Sequence, residues 1–168
     1  MHSDEFDRQD EVGVLCLDGH CISVTGLRWL DLSLSRARED SYFQHWPKDA
    51  VAALGPRLVA ITNNTIVQSD WRRAVVQSSR VGADDPVKLK YATIGLSMRR
   101  FIASAADSVV ALARNDRAMH MVAVSMGGKK LGQILLHGIE TDIMVATRHE
   151  LKVHGAVVDE LWDRRRQG

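Results

Sequence analysis

The stretch MHMVAVSMGGKKLGQILLHGIETDIMVAT, residues 119–147, decides the fold class. Two apolar segments, MHMVAVSM (119–126) and LGQILLH (131–137), flank a glycine-lysine turn, and this pattern is typical of a β-hairpin. The segment TDIMVAT (141–147) follows after a short glycine-containing turn and reads as a third strand. The stretch therefore predicts a three-stranded antiparallel meander.

Helical patterns stand on both sides of this meander. Residues 91–114 repeat apolar side chains at helical spacing, which predicts one long central helix. Thr147 and Glu150 match a capping box, and the spacing beyond them predicts a final helix over residues 148–164. We therefore expect an α+β fold, in which an antiparallel β-sheet carries a long central helix and a C-terminal helix packed on it.

The first third of the chain predicts a hairpin followed by helices. Asp18-Gly19 between two apolar segments indicates strands 12–17 and 20–25 joined by a two-residue turn. Leucine spacing predicts a helix over 27–39. Pro47 at the start and Gly55-Pro56 at the end of the next segment predict a second helix over 47–54. RLVAITNNTIVQ (57–68) predicts another hairpin, with Asn63-Asn64 as its turn.

The region after this second hairpin is less regular. SDWRRAVVQSS begins either a helix capped by Ser69 or a further strand, and we favour the helix. Residues 78–86, which combine Gly, Asp and Pro, predict a loop.

Length and charge place the chain among ordinary globular proteins. It has 168 residues and a formal net charge of +1, which predicts one domain over 11–168 behind a disordered acidic tail at 1–10. Residues 1–50 hold ten acidic and five basic side chains, so the remainder is net basic. No apolar segment is long enough to span a bilayer, and the acidic N-terminus is unlike a signal peptide, so we expect no membrane contact and a cytoplasmic location.

The phrase MHMVAVSMGGKKLGQILLHG and the order of elements over about residues 48–165 resemble the roadblock-type dynein light-chain domain family. The family's early hairpin corresponds either to EVGVLCLDGHCISVTG or to RLVAITNNTIVQ. The resemblance implies a dimeric, non-enzymatic scaffold that contacts a small GTPase or a motor component. We therefore expect a non-catalytic regulatory or interaction module with no cofactor, and we lean against an enzyme.

Two other function classes stay open. One is a small-molecule enzyme or sensor that uses a pocket between the sheet and the central helix. The other is an anion or nucleic-acid binder that uses the basic stretch 57–100, in which aromatic residues lie among basic ones. The anion-binding candidates are Arg72, Arg73, Arg99 and Arg100.

Cysteine and histidine patterns indicate a candidate redox pair and no metal site. The Asp18-Gly19 turn places Cys16 opposite Cys21 across the hairpin, which makes them candidates for a strained, reducible disulfide. They also suit two buried thiols. His149 and His154 are five residues apart, so a regular helix cannot present both to one metal ion.

Other catalytic motifs are missing. MGGKKLG lacks the spacing of a phosphate-binding loop, and the chain has no nucleophile elbow or dinucleotide motif.

The final predicted helix carries more apolar surface than one small sheet covers. Val158, Leu161 and Trp162 are the interface candidates, and an edge strand of the meander can pair with a second copy. We therefore expect a homodimer.

Overall fold

A computed structural model describes residues 9–76, 87–153 and 155–167. Within them the strands are β1 Glu11–Leu17, β2 His20–Asp31, β3 Leu58–Val67, β4 Val75–Val76, β5 Val87–Lys88, β6 Ser108–Arg114, β7 Lys129–Leu136 and β8 Ile139–Thr147. The helices are α1 Ser35–Arg38, α2 Lys48–Ala53, α3 Leu89–Ile102, α4 Met119–Ser125 and α5 Ala156–Gln167. The predicted loop at 78–86 and residues 1–8 of the predicted tail lie outside the described residues.

The fold is α+β as predicted, but its sheet is mixed. Six strands follow the order β1-β2-β3-β6-β8-β7, and β4 and β5 form a separate ribbon. The pairs β1–β2, β6–β8 and β7–β8 are antiparallel, whereas β3 and β6 are parallel, from Val59↔Ser108 to Thr62↔Ala111. The prediction of a purely antiparallel sheet is therefore wrong.

The long central helix predicted over 91–114 is also wrong. Helix α3 ends at Ile102, and the chain re-enters the sheet as β6 at Ser108. The apolar residues of 103–114 continue the helical spacing by coincidence, while Val109 and Val110 are β-branched and suit a strand. Pairing of β6 with both β3 and β8 satisfies its backbone, and this long-range bonding decides the outcome.

The predicted strand 119–126 is helix α4 instead. Met121 and Val124, three positions apart, are 64% and 58% exposed, so the segment has a helical exposed side and no buried strand face. The third strand of the meander is β6, because β8 pairs with β6 on one side and with β7 on the other. The predicted strands at 131–137 and 141–147 are confirmed as β7 and β8.

The first hairpin and the short helix 47–54 are confirmed as β1–β2 and α2. Three other predictions for this region are wrong. β2 continues through Asp31 where a helix was expected over 27–39, and only the four residues of α1 are helical there. β3 runs unbroken through the expected turn of the 57–68 hairpin. After Ser69 a single 3-10 turn leads into β4 in place of a helix.

One of the two capping-box hydrogen bonds, from the Thr147 amide to Glu150, forms without the helix that the motif predicts. The Thr147 amide and hydroxyl both donate to Glu150 Oε2, at 3.1 and 2.9 Å, but α5 begins only at Ala156. Lys129 also pairs with Glu150. Hydrogen bonds from Lys129 and Thr147 lower the pKa of Glu150 to about 2, so its contribution to stability is present above its ordinary pKa of 4.5 and is lost as the pH falls toward 2.

The chain divides into two compact units. Unit 1 comprises Met1–Arg28, Asn63–Ala103 and Val153–Gly168, and unit 2 comprises Trp29–Thr62 and Ser104–Lys152. The core of unit 2 joins buried apolar residues of the helical segments and the strands: Leu32, Ala37, Phe43, Trp46, Ala50, Leu54, Val59, Ile61, Val110, Ile134 and Ile143. Unit 1 has two smaller cores, one around Ile22, Val67 and Leu89, the other around Ala92, Val157 and Val158.

None of the helices in the described ranges is long and apolar enough to cross a membrane.

Two glycines with positive φ allow a test of the packing at the end of β8. Gly127 (φ 90°) and Gly138 (φ 76°) both lie in the left-handed region, but a Cβ on Gly127 would overlap the carbonyl oxygen of Glu150, whereas a Cβ on Gly138 would meet nothing within 4 Å. We expect Gly138→Ala to lower the free energy of unfolding by about 1 kcal/mol, since only backbone strain is added. Gly127→Ala adds the steric overlap and should cost about 3 kcal/mol.

Urea denaturation followed by circular dichroism measures both variants. Equal losses for Gly127→Ala and Gly138→Ala would show that Gly127 does not approach the Glu150 carbonyl.

Candidate active site

The parallel strands of unit 2 indicate where to look for a site. Ligands of sheets with parallel strands bind beyond the carboxyl ends of those strands. Strand β6 ends at Arg114, and the chain continues through a 3-10 turn at Asn115–Arg117 into α4. The polar side chains around this end of β6 are therefore the first candidates.

A buried carboxylate lies beside this end of β6. Asp142 of β8 is opposite Ala113 of β6 and is only 6% exposed. Its Oδ1 atom accepts three hydrogen bonds, from Lys130 Nζ at 2.8 Å, Gln133 Nε2 at 3.1 Å and Asn115 Nδ2 at 3.2 Å. All three donors converge on one oxygen, so Oδ2 takes none of these bonds.

The charges around Asp142 keep it ionised. Burial raises the pKa of this carboxyl, but hydrogen bonds from Lys130 and Asn115 and the positive charge of Lys130 outweigh burial and lower the pKa below its ordinary value of 3.8. An ionised carboxylate at this position favours any neighbouring group that becomes positively charged.

Two other buried polar atoms near this carboxylate have no protein partner. They are Asn115 Oδ1 and His120 Nδ1, both on the segment that follows β6. Unsatisfied buried polar atoms are rare in native proteins, and where they occur a water or a ligand usually supplies the partner. We call Asn115, His120, Lys130, Gln133 and Asp142 the polar cluster. It combines a fixed negative charge with one unpaired acceptor and one unpaired imidazole nitrogen.

The opposite face of the same strands is apolar. Ile143, next to Asp142 in sequence, belongs to the core of unit 2 and so faces away from the polar cluster. The rings of Tyr42, Phe43 and Trp46 pack together in this core, with centroids 5.0 to 5.5 Å apart. The hydroxyl of Tyr42 and Nε1 of Trp46 are buried without partners, and burial raises the pKa of Tyr42.

Unit 1 contains a cavity of about 300 Å³ between the β1–β2 hairpin and helices α3 and α5. Its walls combine apolar side chains with a line of hydroxyls and one ion pair: Glu11, Val12, Gly13, Val14, Leu15, Thr25, Leu27, Thr93, Leu96, Ser97, Arg100 and Leu161. This volume lies at the lower end of the range of small-molecule sites. The open alternative of a small-molecule enzyme or sensor required a pocket between the sheet and the central helix, and this cavity lies between strands of the sheet and α3.

The polar groups of this cavity are paired with each other. Arg100 donates two hydrogen bonds to Glu11, at 2.8 and 2.6 Å. Ser97 donates to Thr25 at 3.0 Å, and the hydroxyls of Ser23 and Thr93 lie 2.7 Å apart. The cavity thus presents mainly apolar surface to a ligand, with polar groups that already have partners.

The predicted anion-binding arginines occupy two places in unit 1. Arg72 and Arg73 are exposed in the turn that leads to β4. Arg99 and Arg100 lie in the last turn of α3, and each has a carboxylate partner, Asp159 and Glu11 respectively. Binding of an anion by these four residues stays a prediction.

The predicted interface residues belong to α5. Val158 is 1% exposed and packs against Gly95 of α3, so it contributes to the core of unit 1. Leu161 lines the cavity, and Trp162 is half-buried. Their role in a homodimer stays a prediction.

The predicted register of the redox pair is confirmed, with Cys16 directly opposite Cys21. Both cysteines are exposed, so the alternative prediction of two buried thiols is wrong. In the described ranges, no group of three or more His, Cys, Asp and Glu side chains can hold a metal ion. His154 lies outside these ranges.

Sequence reasoning found no role for Asp142, Asn115 or His120. One signal was present, since an aspartate beside the apolar residues of TDIMVAT needs hydrogen-bond donors wherever the sheet buries it. The donors come from β7 and from the turn after β6, and their convergence depends on a strand pairing that the sequence did not reveal.

Comparison with known proteins identifies the fold. Neither a protein-family model nor a curated protein matches the chain. Among solved structures, BjaI, a CoA-dependent acyl-homoserine lactone synthase, has a TM-score of 0.56 at 14% identity, covering 98% of this chain and 71% of that one.

Two further structures agree with this result. FeeM, an N-acyl amino acid synthase from uncultured soil microbes, has a TM-score of 0.55 at 9% identity, covering 83% of this chain and 72% of its own. An uncharacterized protein from Bacillus halodurans has a TM-score of 0.52 at 14% identity, covering 98% and 69%. This chain therefore shares the fold of these proteins.

The roadblock resemblance is wrong, because the structures that share this fold are of another kind. The prediction of a non-catalytic regulatory scaffold and the expectation against an enzyme both rested on that resemblance. Both are corrected with it. BjaI and FeeM are both named as synthases.

The electrostatics of the polar cluster can be tested by removing one charge. We expect Lys130→Met to raise the pKa of Asp142, because the shortest hydrogen bond and a nearby positive charge are lost while burial stays. Carboxyl-carbon NMR titration measures this pKa. The stability that the low pKa confers is present above the unfolded pKa and lost as the pH falls through the folded one, so Lys130→Met should weaken this dependence on pH.

Lys129→Met is the matched control, since Lys129 pairs with Glu150. It should raise the pKa of Glu150 and leave that of Asp142 unchanged. An unaltered Asp142 titration in Lys130→Met would contradict the assigned ion pair.

Proposed function

We propose that this chain is an enzyme that transfers an acyl group from a thioester donor to an amine. The observation that carries the proposal is the mixed sheet, in which β3 and β6 are parallel among antiparallel neighbours. BjaI and FeeM share this fold with the chain; BjaI is named a CoA-dependent acyl-homoserine lactone synthase and FeeM an N-acyl amino acid synthase. The polar cluster at the carboxyl end of β6 supplies groups suited to the reaction.

The reaction needs a proton acceptor near the attacking nitrogen. The amine attacks the carbonyl carbon of the thioester, so that a C–N bond forms and the C–S bond breaks. The nitrogen loses a proton, and the leaving sulfur gains one as a thiol. An imidazole is suited to this transfer because its ordinary pKa lies near neutral pH.

His120 is our candidate for the proton acceptor. Its buried Nδ1 atom has no protein partner, so a substrate N–H can donate to it. The negative charge of Asp142 stabilises the imidazolium that results, as the carboxylate does in a His-Asp pair. Asn115 Oδ1, the other unpartnered atom, accepts a second N–H from a bound substrate and orients it.

The cavity of unit 1 suits an apolar group. Its aliphatic residues remove such a group from water, at roughly 25 cal/mol per Å² of apolar surface buried. We propose that it takes the apolar part of a small ligand. A cytoplasmic location remains part of this proposal.

Thiol release tests the activity. The purified protein is incubated with acetyl-CoA, octanoyl-CoA or the same acyl groups on a carrier protein, together with a panel of amino acids and primary amines. A thiol reagent follows the free thiol, and mass spectrometry identifies the amide. We expect thiol release that depends on both substrates.

Variants of the polar cluster then test the assigned roles. His120→Gln should lower kcat/KM by about 10²-fold, the lower end of what a general base contributes. Asp142→Asn should lower it by about tenfold, since it removes the charge that favours the imidazolium. The matched control is Asp116→Asn, because Asp116 is exposed and pairs with Arg114 outside the cluster.

Asp116→Asn should stay within about twofold of the native enzyme. No thiol release with any donor would overturn the acyltransferase proposal, and full activity in His120→Gln would overturn the role of His120 alone.

Self-association is a separate proposal. Val157 and Val158 of α5 are buried in the core of unit 1, so we propose that the homodimer is anchored by the half-buried Trp162, with Leu161 beside it. Light scattering should report about twice the mass of one chain, and Trp162→Ala should shift the protein toward monomer, since buried aromatic anchors often contribute ~2 kcal/mol or more. A native chain that stays monomeric at high micromolar concentration would overturn it.

A further inference from the structure

The tip of the β1–β2 hairpin brings two thiols together. Asp18 (φ 48°) and Gly19 (φ 79°) form a two-residue turn with both residues in the left-handed region. Leu17 and His20 close this turn, and Cys16 lies directly opposite Cys21 at the next position. The pairing is set by a local turn and does not depend on distant elements.

This position suits a disulfide. In a two-residue hairpin the pair next to the closing pair is not hydrogen-bonded, and its Cα atoms lie about 4.5 Å apart. Disulfides span Cα separations of about 4.4 to 6.8 Å, so the two cysteines are at the short end of that range.

A bulge then orients the neighbouring residues. Leu15 pairs with Ser23, so Ile22 is the extra residue. Ile22 is 5% exposed, while both cysteines remain exposed.

We propose that Cys16 and Cys21 are a modification site that forms a reversible intramolecular disulfide by exchange with a small-molecule disulfide. The thiolate of one cysteine attacks a sulfur of that reagent, which forms a mixed disulfide and releases one small thiol. The second cysteine's thiolate attacks the protein sulfur, which closes the Cys16–Cys21 bond and releases a second small thiol. The protein loses two hydrogens, and the reagent is reduced to two thiols.

The structure explains why the exchange continues past the mixed disulfide. The second thiol already faces the first, so its attack is intramolecular and fast compared with reaction with a further reagent molecule. The Cys21 thiol donates a weak hydrogen bond to the Ser23 carbonyl at 3.9 Å, and losing this bond is a minor obstacle to the exchange. A bond at the short end of the allowed Cα range is strained, which makes it easy to reduce again.

The bond constrains one wall of the cavity in unit 1. Residues Glu11–Leu15 of β1 line that cavity, and β1 is an edge strand whose neighbour in the sheet is β2. A covalent link between the two strands at the hairpin tip limits local separation of β1 from β2. Oxidation therefore stiffens the cavity wall without adding a group to it.

Oxidised glutathione is the probe for the test. The native protein is incubated with it, and intact mass spectrometry and thiol titration follow the product. We expect the two titratable thiols to fall to none, with a mass loss of two hydrogens, and dithiothreitol to restore both. Hydrogen exchange should show slower exchange of the β1 amides at 12–16 in the oxidised protein.

Single variants are the controls. Cys16→Ser and Cys21→Ser should each stop at the mixed disulfide, with one glutathione per chain. In denaturant the native chain loses the fixed register, so closure of the ring should become slower than in the folded protein.

Three outcomes in the folded protein would overturn the proposal: two thiols that resist oxidation, a native protein that stops at the mixed disulfide, or a bond between chains. Closure that is faster in denaturant would also overturn it, because the hairpin would then oppose the bond.

Discussion

The parallel pairing of β3 with β6 is the constraint on which the rest of the fold depends. Two parallel strands cannot be joined by a tight turn, so the chain between Val67 and Ser108 must cross over, and α3 forms within that crossover. The same pairing fixes the direction of β6. Its carboxyl end therefore leads into the turn at Asn115–Arg117 and α4, which is where the polar cluster lies.

Burial of Asp142 has a physical cost that the cluster offsets. A charge removed from water is destabilising unless donors replace the lost solvent, and here an ammonium and two amides do so on one oxygen. An apolar residue would avoid this cost at a buried position of the strand. A charged group at this position, next to two buried polar atoms without protein partners, supports the chemical role that we propose for the polar cluster.

Unit 1 is polar in a different way. The Ser97 and Thr25 hydroxyls bind each other between α3 and the hairpin, and so, separately, do Arg100 and Glu11. These bonds hold the cavity walls together and leave an apolar surface for a ligand. The hairpin is thus both a wall and the carrier of the two exposed thiols. Chemistry at its tip can change the stiffness of that wall because the strands of a hairpin are directly bonded to each other.

The sequence by itself determined the features that depend on a few neighbouring residues. The Asp18-Gly19 turn specifies the hairpin and the facing cysteines, and the capping-box residues Thr147 and Glu150 find each other even where no helix follows. Gly and Asp tolerate the left-handed backbone that such turns need, so the local pattern suffices. The strands at 131–137 and 141–147 were predictable for the same reason, since a two-residue turn sets their pairing.

Only the tertiary structure decided the region between Ala103 and Ser125. A short segment with five consecutive apolar residues, such as 108–114, fits a helix or a strand equally well, and its state follows from which strands bond to it. β6 is a strand because β3 and β8, both distant in sequence, complete its hydrogen bonds, and residues 119–125 are then helical because β6 already occupies the place beside β8. The polar cluster depends on that same distant pairing, which no short stretch of sequence encodes.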